Sequence, residues 1–404
     1  MSRARWLQET KMMRFEEALE LWQSKRLTQE EAAQLLGICD RSFRRYIDRY
    51  EEDGLQGLID KRLDQVSHHS APVDEVLRLE VLYKDHYDSW NVKHFYERYQ
   101  LEHEGLRSYS WVKKRLQESD LVKKGKRKGA HRKRRDRAAL AGLMVHQDAS
   151  THHWVPEKKW DLVITMDDAT SDIYSAFMTD EEGTMSSFKG VRETIEKQGI
   201  FSSFYSDRGS HYWHTPEAGG KVDKNNPTQF GRAMQHLGIQ MIAAYSHQAR
   251  GRSERMFKTW QDRLPKELAL KGITDKEAVN LYIQKTFLPR FNKTFRQEAR
   301  EPGNAFVPTL NISLADILCL QEERTVRPDN CVSYKGMILQ IPSDRHRHHY
   351  VKAKVKVHEY EQGLAIFYGP RRLANYCSKG YLIEEVEVKE KLPKSAARTA
   401  KAAN

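Results

Sequence analysis

Cysteine is scarce in this chain: there are four in 404 residues, Cys39, Cys319, Cys331 and Cys377, with no Cys-x-x-Cys pair. So few and so scattered, they exclude a disulfide framework, and the missing pair argues against a structural zinc site. Long apolar runs are missing too. None approaches the roughly 20 residues needed to cross a bilayer, in keeping with a mean hydropathy of −0.78. The opening MSRARWLQETKMM has neither the apolar stretch nor the small-residue cleavage site of a secretory signal. A membrane protein and a secreted disulfide scaffold are therefore excluded, and a reducing, cytoplasmic setting is expected. At about 150 residues per domain, the length allows two to three domains.

Positive charge is plentiful instead. Lys and Arg number 68 against 56 acids, a net charge of +12. Residues 123–137, KKGKRKGAHRKRRDR, hold ten Lys/Arg and one acid; that +9 leaves only +3 for the rest of the chain. A run this dense repels itself and reads as an extended linker. Its Lys126, Arg127, Lys128, Arg132, Lys133, Arg134 and Arg135 suit a phosphate backbone, because polycations release the counterions condensed on DNA.

Two helical modules precede this linker. Phe15, Ala18, Leu19 and Trp22 recur with helical spacing. Thr28 and Glu31 form a capping box for a second helix through Ala32, Leu35 and Leu36. Gly37 permits a tight turn, and Asp40 is the expected N-cap of a third helix that Gly54 ends. Three short helices with a glycine turn before the third predict a helix-turn-helix domain over 12–62. Arg41, Ser42, Arg44, Arg45 and Arg49 face outward on the third helix, suited to a major groove and its phosphates. A weaker second trio over 72–122 has helices near 73–86, 91–101 and 109–121. There Trp111, Val112 and Leu116 are expected inside, with Lys113 and Lys114 among the exposed residues.

Past Arg137 the pattern changes to short β-rich runs: GLMVHQDAS (142–150), WDLVITMDD (160–168) and DIYSAFMTD (172–180). A helix (185–198), a strand (200–207), a helix (228–237), a strand (239–245) and a helix (249–264) follow, an α/β layered core over 140–272. Asp148 ends the first strand of this reading, Asp207 ends the fourth, and Glu254 opens the helix after the fifth. Met256, Phe257, Trp260 and Leu264 make that helix's buried stripe; Glu254 sits at its rim, with Lys258 one turn on. Three converging carboxylates repel one another. Two Mg²⁺ ions, with Mn²⁺ as substitute, would remove the conflict and form the clamp of an in-line phosphoryl transfer. Asp167 and Asp168, on the next strand, stay open as alternatives to Asp148.

The order of Asp148, YSDRGSHY around Asp207 and ARGRSERMFKTWQ around Glu254, behind helix-turn-helix modules, resembles bacterial insertion-sequence transposases with a retroviral-integrase-like, RNase H-fold DDE core. The resemblance spans residues 12–310. It implies that Asp148 bridges both metals while Asp207 and Glu254 each bind one. It further implies nicking at transposon ends, followed by attack of the freed 3′-hydroxyl on target DNA without a covalent enzyme intermediate. Partners would be double-stranded DNA and further copies of the chain, a dimer or larger. The sequence departs from the family pattern twice. Asp207 and Glu254 lie 47 residues apart, longer than usual, with the excess in 213–226, read as a surface insertion; and Pro265 should end or kink the catalytic helix early. Arg208, His211, Arg250, Arg252 and Lys258 surround the acids as candidates for holding DNA ends. His152, His153 and Trp154 are read as a packed hairpin tip.

A helical connector (273–312) leads to β runs over 325–390 that look like the SH3-like barrel of such transposases. The histidines of 344–350 read as part of a basic loop, and the tail, 391–404, should be disordered. The expected fold class is thus multidomain: all-α helix-turn-helix modules, a central α/β RNase H-like core and a small all-β barrel. Two other functions compete with transposition, a non-catalytic DNA-binding regulator and a metal-dependent nuclease of RNase H type.

Overall fold

A computed structural model describes residues 3–60, 71–125, 136–217, 220–245, 251–310, 312–343 and 346–383. The chain divides into two compact units, Met1–Asp88 with Arg107–Lys123, and Ser89–Leu106 with Lys124–Asn404. The linker residues 126–135 and the tail 391–404 lie outside the described residues, as does Arg250.

The first unit opens with α1 (Arg3–Gln23), α2 (Gln29–Leu35) and α3 (Asp40–Asp53). Thr28 caps α2 with the full capping box, and Gly37 takes the left-handed conformation, φ +66°, that the turn into α3 needs. The N-cap of α3 is Cys39 rather than Asp40. Asp40 is the helix's first residue, where it pairs with Arg44 at 3.2 Å and favours the positive end of the helix dipole. Phe15, Ala18, Leu19, Ala32, Ala33, Phe43 and Ile47 form the small core. Further on lie α4 (Val73–His86) and α6 (Tyr109–Glu118), where Val112 and Leu116 are buried. Trp111 is only half-buried, because Arg107 and Arg115 stack their guanidinium groups on its ring.

The second unit contains α5 (Val92–Glu102) and a five-stranded sheet. Its strands are β1 (Val145–Val155), β2 (Lys158–Asp167), β3 (Ile173–Thr179), β4 (Ser203–Ser206) and β5 (Gln240–Ala243), in the order β3-β2-β1-β4-β5. β1, β2 and β3 form an antiparallel meander, whereas β4 and β5 run parallel to β1. Helices α7 (Thr184–Gln198) and α8 (Gln229–His236) cover one face through Phe188, Val191, Phe230 and Met234. The other face is covered by α9 (Gly251–Lys271), α10 (Lys276–Tyr282) and α11 (Leu288–Phe295), with Trp260 at the centre of a second core. This is the α/β core that the β-rich runs predict.

Three details differ from the sequence reading. Asp148 is the fourth residue of an eleven-residue strand, not its end, because the strand runs through His152 and His153 to bury Trp154 completely. Helix α9 passes through Pro265 to Lys271. An interior proline costs about 3 kcal/mol, but Leu264 and Leu268, both buried on that stretch, return about 1.5–3 kcal/mol each. The insertion over 213–226 also is not all surface, since Trp213 is buried and donates to Ser206 Oγ at 3.1 Å.

Gly190 sets the spacing of α7 on the sheet. A Cβ there would stand 2.2 Å from Gln147 Nε2 and 2.8 Å from Thr165 Oγ1. Gly190→Ala should therefore cost about 1–3 kcal/mol by overpacking, read as a fall of several degrees in Tm by calorimetry. Unchanged Tm would mean that α7 is not tightly seated there.

The last third is all-β, with α12 (Leu314–Ile317) ahead of it. A five-stranded antiparallel sheet contains β6 (Leu320–Thr325), β9 (Lys354–Tyr360), β10 (Gly363–Tyr368), β11 (Arg371–Cys377) and β12 (Leu382–Ile383), in the order β12-β11-β10-β9-β6. β7 (Cys331–Tyr334) and β8 (Met337–Gln340) form a separate hairpin. Both share one core through Val332, Leu339, Val357 and Ile366. Among the described residues the two sheets do not close into the expected barrel, and β6 begins ahead of the expected boundary at 325.

Candidate active site

The site is built on the sheet face that α9 covers. β1 and β4 pair in parallel with Val145 beside Phe204 and His146 beside Tyr205. Carried on for two residues, the same offset sets Asp148 beside Asp207. Strands lie about 4.8 Å apart, and paired residues of parallel strands share a face. His146 and Tyr205 mark that face, their rings 4.7 Å apart, while Val145 and Phe204 enter the opposite core. The paired residues end at His146 and Tyr205, two positions before Asp148 and Asp207.

Each acid also closes a local turn or strand contact. Asp207 Oδ1 accepts the Gly209 amide at 2.9 Å, and Asp148 Oδ1 accepts the Ala149 amide at 3.1 Å. Behind them Tyr212 is fully buried. Its hydroxyl donates to Gln147 Oε1 at 3.0 Å and accepts from Ser187 Oγ at 3.2 Å. Burial pushes this phenol well above its ordinary range, and the charges of Glu182, Asp148 and Asp207 push it further. Glu182 stands 3.5 Å from His211 Nε2. The sequence reading passed over Glu182, and nothing in its local pattern marks it.

Glu254 lies in the first turn of α9, exposed, and among the described residues it has no hydrogen bond or ion pair. Two contacts pin this helix along β1. Gln261 Nε2 donates to Ser150 Oγ at 2.9 Å, and Arg252 pairs with buried Asp168, whose Oδ1 is 2.6 Å from His146 Nε2. Nine helical residues and four strand residues both span about 13 Å. Glu254 and Lys258 therefore fall between the pins, level with the stretch of β1 that carries Asp148. Among the described residues, however, no three acidic, histidine or cysteine side chains close around a metal-sized point. Asp148 and Asp207 thus follow paired strand residues, and Glu254 lies exposed at the start of α9.

Asp167 and Asp168 are occupied otherwise. Asp167 Oδ1 accepts the Thr170 amide at 2.8 Å within the β2–β3 turn, and its Oδ2 accepts the amide of Gly142, ahead of β1, at 2.7 Å. Asp168 Oδ2 accepts the Ala138 amide at 2.7 Å. Of the expected DNA-holding residues around the acids, Lys258 is exposed, Arg208 donates to the Gly220 carbonyl at 2.9 Å, and Arg252 is engaged by Asp168.

A second surface lies on α3. Arg41, Arg44, Arg45 and Arg49 are exposed there, while Ser42 is half-buried, its Oγ 3.2 Å from Cys39 Sγ. Lys113 and Lys114 are exposed on α6. Residues 16–62 match the family model described as a helix-turn-helix domain. Across 346 residues the chain is 27% identical to y4bF of Sinorhizobium fredii (strain NBRC 101917 / NGR234), a protein named as a transposase; the match covers 84% of this chain and 74% of that one. Across 223 residues it is 27% identical to the transposase for insertion sequence IS1202 of Streptococcus pneumoniae, covering 55% of this chain and 47% of that one. Its relatives are transposases. The resemblance carried by the acidic motifs and the helix-turn-helix helices agrees with these relatives, and the chain spans about half the length of the second. Solved structures with distant likeness include a simian T-cell lymphotropic virus intasome in complex with PP2A regulatory subunit B56 gamma (12% identity, TM-score 0.33, 69% of this chain and 91% of that one). Another is the HTLV-2 integrase catalytic core domain in complex with magnesium (15% identity, TM-score 0.29, 36% of this chain and 87% of that one).

Proposed function

We propose that this chain is a DNA transposase that binds the terminal repeats of a mobile element, nicks its 3′ ends and joins them to target DNA. The observation that supports the reading is the β1–β4 register, which pairs Val145 with Phe204 and His146 with Tyr205, two residues before Asp148 and Asp207, with Glu254 in the first turn of α9 on the same side of the sheet. The helix-turn-helix domain and its transposase relatives support the same reading.

Asp148, Asp207 and Glu254 are the proposed catalytic set. Their all-oxygen donors suit a hard divalent cation. Two Mg²⁺ ions, or Mn²⁺ in their place, would supply activation of the attacking oxygen and stabilisation of the leaving one. The chain's own part is positional. On this reading the β1–β4 pair would hold two carboxylates at one height and α9 would supply the third. Arg41, Ser42, Arg44, Arg45 and Arg49 are proposed to read the DNA end. Lys113, Lys114 and the basic residues of 126–135 are proposed to hold phosphates, and Lys258 the end nearest the acids. Two such ends have to be joined, so the active form is proposed to be a dimer or larger.

The test uses a labelled duplex carrying the sequences that flank the gene, Mg²⁺ and target DNA. Strand-transfer product is the expected result. Cleavage alone would instead identify a nuclease, and binding without chemistry a regulator. Asp207→Asn should lower the rate at least about a thousandfold, as loss of several kcal/mol of transition-state stabilisation implies, with duplex affinity little changed. An active Asp207→Asn protein would end the proposal.

A further inference from the structure

Asp168 is the most heavily connected buried acid near the site, yet it supplies nothing to the proposed reaction directly. Only 1% exposed, it lies just past the end of β2. Its Oδ1 is 2.6 Å from His146 Nε2 on β1 and also accepts from the Arg252 guanidinium on α9. Its Oδ2 takes the Ala138 amide at 2.7 Å, and its backbone carbonyl accepts from Arg137 at 3.0 Å. Arg137 further donates to Ser171 Oγ at 2.8 Å, so the end of the basic linker is tied to the same turn.

The spacing gives this cluster its meaning. His146 lies two residues before Asp148 on one face of β1, and Arg252 lies two residues before Glu254 in the first turn of α9. A single carboxylate therefore joins the two elements that carry the first and third acids. The Gln261–Ser150 bond pins the same helix two and a half turns on, and Asp168 ties its N-terminal turn through Arg252. A buried carboxylate bonded on both oxygens holds its partners far more tightly than an exposed pair does.

We infer that Asp168 is a positioning residue: through Arg252 and His146 it fixes the first turn of α9 against β1, and so sets where Glu254 stands relative to Asp148. The inference rests on the transposase reading. Arg252 then serves to seat the helix rather than to grip DNA.

Asp168→Asn keeps the shape and removes the charge. In the full-length chain the turnover of DNA cleavage should fall about a hundredfold, the cost of a misplacement near 1 Å, with KM for the duplex unchanged. Amide hydrogen exchange over 251–256 should quicken while exchange in β1 to β3 stays as it was. Arg252→Lys, which keeps an ion pair, should retain most of the rate; Arg252→Gln should reproduce the Asp168→Asn defect. If Asp168→Asn unfolds, the two Arg252 variants carry the test alone. Wild-type turnover and exchange in Arg252→Gln, or loss of protection spread evenly over the chain, would overturn the inference. Activity in Asp207→Asn would instead overturn the transposase reading itself, so the two failures are distinguishable.

Discussion

Replacing the buried Glu267 by alanine should destabilise this protein by about 3–5 kcal/mol. Glu267 is 1% exposed on α9, yet it stays charged. Its Oε1 is 2.6 Å from His94 Nε2, and its Oε2 is 2.6 Å from Arg98 Nη2 and accepts from the Tyr282 hydroxyl at 2.6 Å and from Arg290. Burial alone would raise its pKa. The hydrogen bonds from His94 and Tyr282 and the charges of Arg290 and Arg98 outweigh burial and bring it down to about 2. Removing the acid would leave Arg98, itself 4% exposed, buried with one partner fewer. That buried charge, left with Glu102 as its carboxylate partner, makes the penalty large.

The pH dependence follows from the direction of the shift. A carboxyl whose folded pKa lies below its unfolded value of 4.5 contributes stability that is complete above pH 4.5. That stability is lost as pH falls through about 2. A shift of this size corresponds to about 3 kcal/mol. Wild-type Tm should drop across that window by more than the Tm of Glu267→Gln, measured by calorimetry from pH 6 to 2. Parallel curves would show that Glu267 is not the titrating group.

This network shows where sequence reading stops. The amphipathic pattern of 91–101 is enough to predict α5, but it also suggests a place beside its sequence neighbours in a second DNA-binding trio. His94, Glu97 and Arg98 look like solvated polar residues until Glu267 and Arg263, some 170 positions away, supply their partners; Arg263 donates to Glu97 at 2.7 Å. Local chemistry was legible: the Thr28–Glu31 capping box and the Gly37 turn depend only on near neighbours. The three acids were legible as motifs, whereas the register that pairs His146 with Tyr205 is a property of strand association. Strand β6, LQEERT, was missed because an edge strand with one apolar residue among polar and charged ones has no apolar period to detect. Asp168 could be read only as one of an acidic pair; its role depends on Arg252, 84 residues on.

The largest change in function is expected at Asp148, and it should run opposite to the change in stability. In the proposed site Asp148 and Asp207 would be like charges side by side, an arrangement that weakens a fold unless a cation lies between them. Asp148→Asn removes one of those charges, so Tm without divalent ions should hold or rise. Mg²⁺ or Mn²⁺ should raise the wild-type Tm, since a ligand at a hundred times its Kd adds about 2.7 kcal/mol. Asp148→Asn should lose that rise together with at least about a thousandfold in strand transfer. Glu254→Gln, altering an exposed residue at the helix start, should lose activity to a similar degree but keep part of the ion-dependent rise, because the paired strand acids remain. Glu196→Gln, on the exposed side of α7, should change neither. An ion-dependent rise that survives Asp148→Asn undiminished would place the cation elsewhere and remove the physical basis for the catalytic set.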